Sequence, residues 1–284
     1  MKRFIGLITG LIFTFAAFTA KAQTLMVDFE TPPHQVNLFP GLMEISGLAL
    51  GADGTVFAHN DEHGIIYQLR TIDGEVERAF ALGDPTLEKD FEGIEIYNGR
   101  VYLLSSRGKI YEAPIGEHKS RVKYNAYDTG VGDFCETEGL ARGPNESGGT
   151  PTFLILCKKP KSEDQKDRVL IYRWSLDERL AVDTPWLDIS RQSMTEGSPK
   201  KFNPSAIEWS EKHQQIFILS AKSARFASLK TDGTITQKKK LSPEYHQQAE
   251  GITLLPSGDI IISDEGKTGL PPILSSYKIL ETGL

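Results

Sequence analysis

A five-residue motif recurs five times along this chain and constrains its fold more than any other feature. The third position of the motif is glutamate or serine, and a small residue and then an aliphatic residue follow it. These third positions are Ser46, Glu92, Glu138, Ser205 and Glu250. Successive copies lie 46, 46, 67 and 45 residues apart. A repeat of this length predicts the blades of a β-propeller.

Each motif begins a series of short apolar strands that are separated by turn residues. Asp53-Gly54 and Asn98-Gly99, for example, follow the first strands of the first two repeats. Such pairs favour tight hairpins because both residues tolerate a positive φ. The sequence therefore predicts an all-β chain, a propeller with five blades. Six blades remain an alternative if the insertions near residues 143–149 and 190–201 hide further strands.

The two ends of the chain supply complementary parts of one blade. The fifth repeat ends at its third strand, near Ile279, and so lacks an outer strand. Residues 25–39 precede the first inner strand and could provide the missing one. A propeller closed in this way leaves no open sheet edge. We expect residues 23–284 to form a single propeller domain.

The first 22 residues are typical of a secretory signal peptide. Met1-Lys2-Arg3 precedes an apolar run over residues 4–18, and Ala20-Lys21-Ala22 forms a cleavage site. No later stretch of the sequence is apolar enough to predict a membrane span. We therefore expect an exported protein, located in the periplasm or the extracellular space.

The charge of the chain argues against nucleic acid as a partner. Loss of the signal peptide would reduce the Lys and Arg count from 32 to 29 against 38 Asp and Glu, a net charge of −9. General nucleic-acid binders carry a basic excess instead. An acidic balance suits cation binding or plain solubility.

Cys135 and Cys157 are the only two cysteines. They fall in adjacent predicted strands, and an oxidising compartment would allow them to form a disulfide. The other interpretation is a pair of small buried residues.

Charged residues recur where each hairpin ends, and the propeller geometry directs them to one rim of the central channel. The inner strands contribute glutamates at motif positions, and the second strands end in charged triplets. Acids of the first and fifth blades would be neighbours in the closed ring. The predicted acids are Glu92, Glu138, Glu250, Asp61, Glu62, Asp264 and Glu265, and the predicted cations are Arg107, Lys159 and Lys222.

Carboxylates that lie this close must be protonated, paired with a cation or bound to a metal. Three interpretations follow: a salt-bridge network that seals the channel, a site for a divalent cation or an anionic ligand, or a catalytic site. Ca²⁺ takes several carboxylate oxygens, whereas Arg107 and Lys159 could hold an anion. His59, Asp61 and His63 could also align as metal ligands, although loop residues at a rim are the simpler interpretation.

At these positions the chain resembles the SdiA-regulated family of exported bacterial propellers. The resemblance rests on residues 44–49, 53–55, 60–62 and 263–265 and on the repeated Glu-Gly-Ile/Leu, and it covers nearly the whole mature chain. It implies a propeller outside the cytoplasm and leaves a bound calcium ion as an option. Related propellers include phytase-like esterases and lactone hydrolases with a metal in the channel.

We expect a monomer that binds a divalent cation, a small ligand or both at one rim of the channel. The alternative is a metal-assisted hydrolase of phosphate esters or lactones. In that case Glu92 or Glu250 would act as the base, and Arg107 or Lys159 would hold the anion. Binding ranks first because the sequence contains no nucleophile motif.

Overall fold

The computed structural model of the protein describes residues 24–145, 149, 151–195 and 201–282. The predicted signal peptide therefore lies outside the described residues, as do parts of both predicted insertions. Nearly all of the regular structure is β, and the strands in chain order are β1 (Thr24–Val27), β2 (His34–Asn37), β3 (Ile45–Leu50), β4 (Val56–Asn60), β5 (Ile65–Leu69), β6 (Val76–Leu82), β7 (Phe91–Tyr97), β8 (Arg100–Ser105), β9 (Lys109–Pro114), β10 (Arg121–Val122), β11 (Asn125–Asp128), β12 (Cys135–Arg142), β13 (Thr152–Pro160), β14 (Arg168–Ser175), β15 (Leu187–Ser190), β16 (Ala206–Ser210), β17 (Gln215–Ser220), β18 (Arg225–Lys230), β19 (Ile235–Lys240), β20 (Ala249–Leu254), β21 (Ile260–Asp264), β22 (Ile273–Tyr277) and β23 (Ile279–Thr282).

The helical structure of the described residues is limited to single turns of 3-10 helix, at Pro40–Leu42, Val131–Asp133, Glu163–Gln165 and Gln192–Met194. No helix within the described ranges has the length and apolar character needed to cross a membrane.

Five antiparallel sheets form the blades, as the repeat predicts, and the six-bladed alternative is wrong. From the inner strand outward, blade 1 contains β3 to β6, blade 2 contains β7, β8, β9 and β11, blade 3 contains β12 to β15 and blade 4 contains β16 to β19. In blade 1 the short β10 adds a parallel fifth strand beside β6. The five inner strands pack side by side in ring order, with β20 returning to β3. The hydrophobic core is correspondingly divided into five clusters, one between each pair of neighbouring blades.

The amino-terminal segment closes the ring, as predicted. Blade 5 consists of β20, β21, β22 and β2, so the outermost strand comes from the start of the chain. His34 lies opposite Ser276 and Asn37 opposite Ile273 in this antiparallel pair. Beyond it, β1 pairs with β23 as a separate two-stranded ribbon. The start of the chain therefore supplies the outer strand that the end of the chain lacks.

A disulfide joins Cys135 of β12 to Cys157 of β13, so the pairing left open by the sequence is present. It links the inner strand of blade 3 to its neighbour, and both residues are fully buried. The bond lies close to the end of the channel where the predicted acids are found.

Candidate functional site

A β-bulge explains why the third position of the motif points into the channel. In blades 1, 2, 3 and 5 the register of the inner strand shifts at this position, so the residue there faces no partner on the next strand. Bulged residues leave the ladder and redirect their side chains. The bulged residues are Ser46, Glu92, Glu138 and Glu250. In blade 4 the equivalent Ser205 lies just before β16, and its hydroxyl donates to the Ala249 carbonyl at 2.7 Å.

The glycine after the bulge allows the inner strands to approach each other. A Cβ on Gly93 would lie 2.5 Å from the backbone nitrogen of Leu140 on the next blade. Only about 10 Å³ of free volume remains along this part of the axis. The channel is therefore closed at its waist, and its two mouths are separate compartments.

Glu92, Glu138 and Glu250 come together at one mouth around Lys158. The Lys158 ammonium lies 2.8 Å from Oε2 of Glu138, whose side chain is only 4 % exposed. Burial disfavours the charged form of Lys158, but the nearby carboxylates of Glu138 and Glu92 outweigh it, and the pKa of Lys158 is raised. Lys158 is therefore the cation that organises these carboxylates.

The same crowding disfavours full ionisation of the three glutamates. Burial is the main cause that raises the pKa of Glu92 to about 7 and that of Glu250 to about 8. Burial and the charge of Glu92 also raise the pKa of Glu138 well above its ordinary value. Protonation of some of these carboxyl groups and the positive charge of Lys158 together reduce the repulsion between the three glutamates.

Acids from blades 1 and 5 extend the group, as the ring closure predicts. Burial and neighbouring charges raise the pKa of Asp61 to about 6 and that of Glu265 to about 7. Gln248 donates from Nε2 to both Glu250 and Glu265. One oxygen of Asp61, Oδ1, is buried without a hydrogen-bond partner. We call these six residues the rim cluster: Asp61, Glu92, Glu138, Lys158, Glu250 and Glu265.

Two other predicted acids have different surroundings. Asp264 is buried and accepts hydrogen bonds from the Gln248 backbone at 3.0 Å and from His246 at 2.7 Å. His246 in turn contacts the hydroxyl of Tyr277, so Asp264 belongs to a network inside blade 5. The Glu62 side chain is 64 % exposed and lies 3.7 Å from Nδ1 of His63.

The three predicted cations Arg107, Lys159 and Lys222 are exposed. Lys159 pairs across β12 with Glu136, so its neighbour Lys158 takes the inward position. Sequence reasoning missed Lys158 because it selected the last residue of each triplet. No sequence signal marks Lys158, because its direction follows from a shift in register between β12 and β13 that leaves it opposite no residue.

His59, Asp61 and His63 do not form a common ligand set. His59 is fully buried beside Phe91, and burial lowers its pKa to about 4. His63 lies outside, in an isolated bridge to Glu88. The simpler interpretation of this stretch, as residues at the end of a strand and its loop, fits the structure better.

The donor chemistry of the rim cluster suits a hard cation, because its free groups are carboxylate oxygens. Asp61 Oδ1 in particular has no hydrogen-bond donor. In the arrangement as it stands, however, no three His, Cys, Asp or Glu side chains of the described residues are grouped as metal ligands. The calcium ion implied by the resemblance therefore stays a prediction, and its binding would require these side chains to move.

Comparisons with known proteins support the fold. No protein-family model matches the chain, and no curated protein sequence matches it. Among solved structures it resembles glutaminyl cyclase from Myxococcus xanthus, with a TM-score of 0.56 and 14 % identity over 88 % of this chain and 97 % of that one.

A second similar structure is the PQQ-bound aldose sugar dehydrogenase from Streptomyces coelicolor. Its TM-score is 0.55, with 12 % identity over 91 % of this chain and 99 % of that one. A luciferin-regenerating enzyme has a TM-score of 0.50 with 10 % identity, covering 92 % of this chain and 96 % of that one. At these identities the likeness establishes a shared β-propeller fold and nothing about activity.

Proposed function

We propose that this protein is an exported β-propeller that binds a small cation at the rim cluster. The cation would be a divalent metal ion such as Ca²⁺ or the charged head of a small ligand. The observation that carries the proposal is an imbalance of charge, because the rim cluster contains five carboxyl groups and a single ammonium, that of Lys158. No chemical step is needed to explain this arrangement.

The geometry favours uptake of a cation over a sealed salt-bridge network. A sealed network would match each buried acid with a donor, since buried polar groups are nearly always hydrogen-bonded. Asp61 instead keeps a buried oxygen without a donor. An added cation near Asp61 and Glu265 would satisfy that oxygen and reduce the repulsion between acids of blades 1 and 5.

The disulfide supports export. Disulfides persist mainly in oxidising compartments, and the Cys135–Cys157 bond is consistent with the signal peptide predicted for residues 1–22. Membership in the SdiA-regulated family remains a proposal, supported by the order and spacing of the motifs and by the propeller fold.

Calorimetric titration with CaCl₂ and MgCl₂, alongside melting curves in EDTA, tests this proposal. We expect binding that raises the melting temperature and that is weakened at least about tenfold in Glu250→Gln, since that variant lacks one negative charge at the site. Glu117→Gln, an exposed residue on a loop, is the matched control and should bind like the parent protein. Equal binding of the metal ions by all three proteins, or no binding of either metal ion, would refute the proposal.

The second candidate is the metal-assisted hydrolase. The observation that favours it is Glu92, because burial raises its pKa to about 7, where a carboxyl can both accept and donate a proton. The anion-holding role predicted for Arg107 and Lys159 finds less support, since both are exposed. Turnover of a phosphate ester or lactone that is lost in Glu92→Gln and retained in Lys159→Met would favour this candidate over binding alone.

A further inference from the structure

The opposite mouth of the channel contains a second pair of acids, both half-buried, that the rim cluster does not include. Three residues after each third motif position, the inner strands carry Ala49, Glu95, Ala141, Glu208 and Thr253. Of the side chains at this position, those of Glu95 and Glu208 line one cavity at the far end of the ring. Two of the five are glutamates, from blades 2 and 4.

Backbone amides fix the direction of both carboxylates. Oε2 of Glu95 accepts the amide of Arg142 on the next blade at 2.7 Å, and Oε1 accepts the amide of Ile96 at 3.0 Å. Oε1 of Glu208 accepts the amide of Trp209 at 2.8 Å. These bonds hold the two acids on the axis in a defined geometry.

The two carboxyl groups affect each other's charge. Burial and the charge of Glu208 raise the pKa of Glu95 to about 8. Burial likewise raises the pKa of Glu208 to about 7, although the Arg142 guanidinium acts in the other direction. When both carboxyl groups are ionised, the single guanidinium of Arg142 leaves the pair with a net negative charge, which a cationic ligand would neutralise.

A cavity of about 770 Å³ opens directly from this pair. Its size lies within the usual range for small-molecule sites. We call it the far cavity, and its wall includes Leu50, Glu95, Tyr97, Arg142, Glu208 and Trp209. The closed waist of the channel separates it from the rim cluster. A ligand in the far cavity would therefore enter from this mouth alone.

Thr253 helps to position Glu208. It occupies the same repeated position in blade 5, and its side chain is fully buried. Its hydroxyl lies within hydrogen-bonding reach of Glu208, which lowers the pKa of that carboxyl against the effect of burial. Thr253 therefore favours the charged form of Glu208.

We propose that the far cavity binds a small primary amine with an apolar body, and that its ammonium group lies between Glu95 and Glu208. An ammonium has three donors, enough to reach both carboxyl groups at once. Leu50 and the rings of Tyr97 and Trp209 would contact the apolar body. A cationic head would favour the ionised form of both acids, whereas a neutral or anionic head would not, so charge sets the specificity.

Three probes of one size test this proposal: n-butylamine, n-butanol and butyrate. We expect saturable binding of n-butylamine in calorimetric or NMR titrations, at least about tenfold tighter than that of n-butanol, with none of butyrate. Glu208→Gln should weaken amine binding at least about tenfold, since it removes one of the two charges. Glutamine keeps an oxygen that can accept the Trp209 amide, so the fold should persist.

The rim variant Glu250→Gln separates this proposal from cation binding at the rim. Amine binding that survives in Glu250→Gln and fails in Glu208→Gln supports the far cavity. Binding lost in Glu250→Gln alone, or equal affinity for n-butylamine and n-butanol, would overturn it. If melting curves show that Glu208→Gln is unfolded, Glu95→Gln carries the same test. Metal binding at the rim should be unchanged in either variant.

Discussion

Replacing Lys158 with methionine would remove the ammonium that pairs with Glu138 while keeping most of the side-chain volume. The Lys158 side chain is 29 % exposed and that of Glu138 only 4 %, so solvent cannot substitute for the lost partner. Removing one member of a buried ion pair costs about 3–5 kcal/mol when the remaining group stays ionised without a partner. In this variant one more carboxyl group can instead take up a proton and become neutral.

The cost of that proton sets the magnitude and its dependence on pH. Keeping a glutamate protonated above its ordinary pKa of about 4.5 costs about 1.4 kcal/mol per pH unit. We therefore expect Lys158→Met to lower the free energy of unfolding by about 3 kcal/mol at pH 7 and by less than about 1 kcal/mol at pH 5. The sign follows because the variant must hold a proton that the unfolded chain releases as pH rises.

Urea unfolding at pH 5 and pH 7 measures this difference. The control is Lys159→Met, which changes the exposed neighbour on the same strand and should alter stability by less than about 0.5 kcal/mol at both pH values. A loss that is equal at the two pH values, or equal in the two variants, would refute the assignment of Lys158 as the central cation. Added CaCl₂ should restore more stability to Lys158→Met than to Lys159→Met.

Three further outcomes follow from the structure. Replacing Cys135 and Cys157 together by serine should lower the free energy of unfolding by about 3 kcal/mol in urea titrations, because the bond closes a loop of 22 residues. Gly93→Ala should cost about 1–3 kcal/mol in the same assay, since its Cβ would press on the next inner strand. The raised pKa values of Glu95 and Glu208 mean that the folded state holds protons between about pH 4.5 and 8 that the unfolded chain releases. Stability should therefore fall as pH rises through this window, with a shallower slope in the Glu95→Gln, Glu208→Gln double variant.

The fold could be predicted from the sequence because it depends on a repeat. The spacing favours five blades, although the two insertions leave six open, and the missing outer strand of the fifth repeat predicts closure by the amino-terminal segment. β2 fulfils that role at residues 34–37, inside the predicted range of 25–39. The convergence of Glu92, Glu138 and Glu250 also follows, since equivalent residues of a closed ring must share one end of the axis.

The charged triplets could not predict which lysine is the central cation, because that depends on the direction in which a single side chain points. The shift in register at Lys158 of β13 decides which of Lys158 and Lys159 faces inward, and a shift of one residue reverses the answer. The direction of Asp264 depends on His246, which arrives on a loop with no repeat equivalent. Local pattern does not determine contacts of that kind.

Glu95 and Glu208 were not predicted from the sequence, for a different reason. Glu95 and Glu208 are 113 residues apart, and the other copies of their position carry alanine or threonine, so no shared residue type marks it. The same ring that gathers the motif acids must, however, gather every other position of the inner strands. In a propeller with a closed waist, each repeat therefore contributes to two separate mouths. The residue types at each position, read around the ring, then determine what each mouth can bind: acids with a lysine at the rim, and acids with apolar walls at the far cavity.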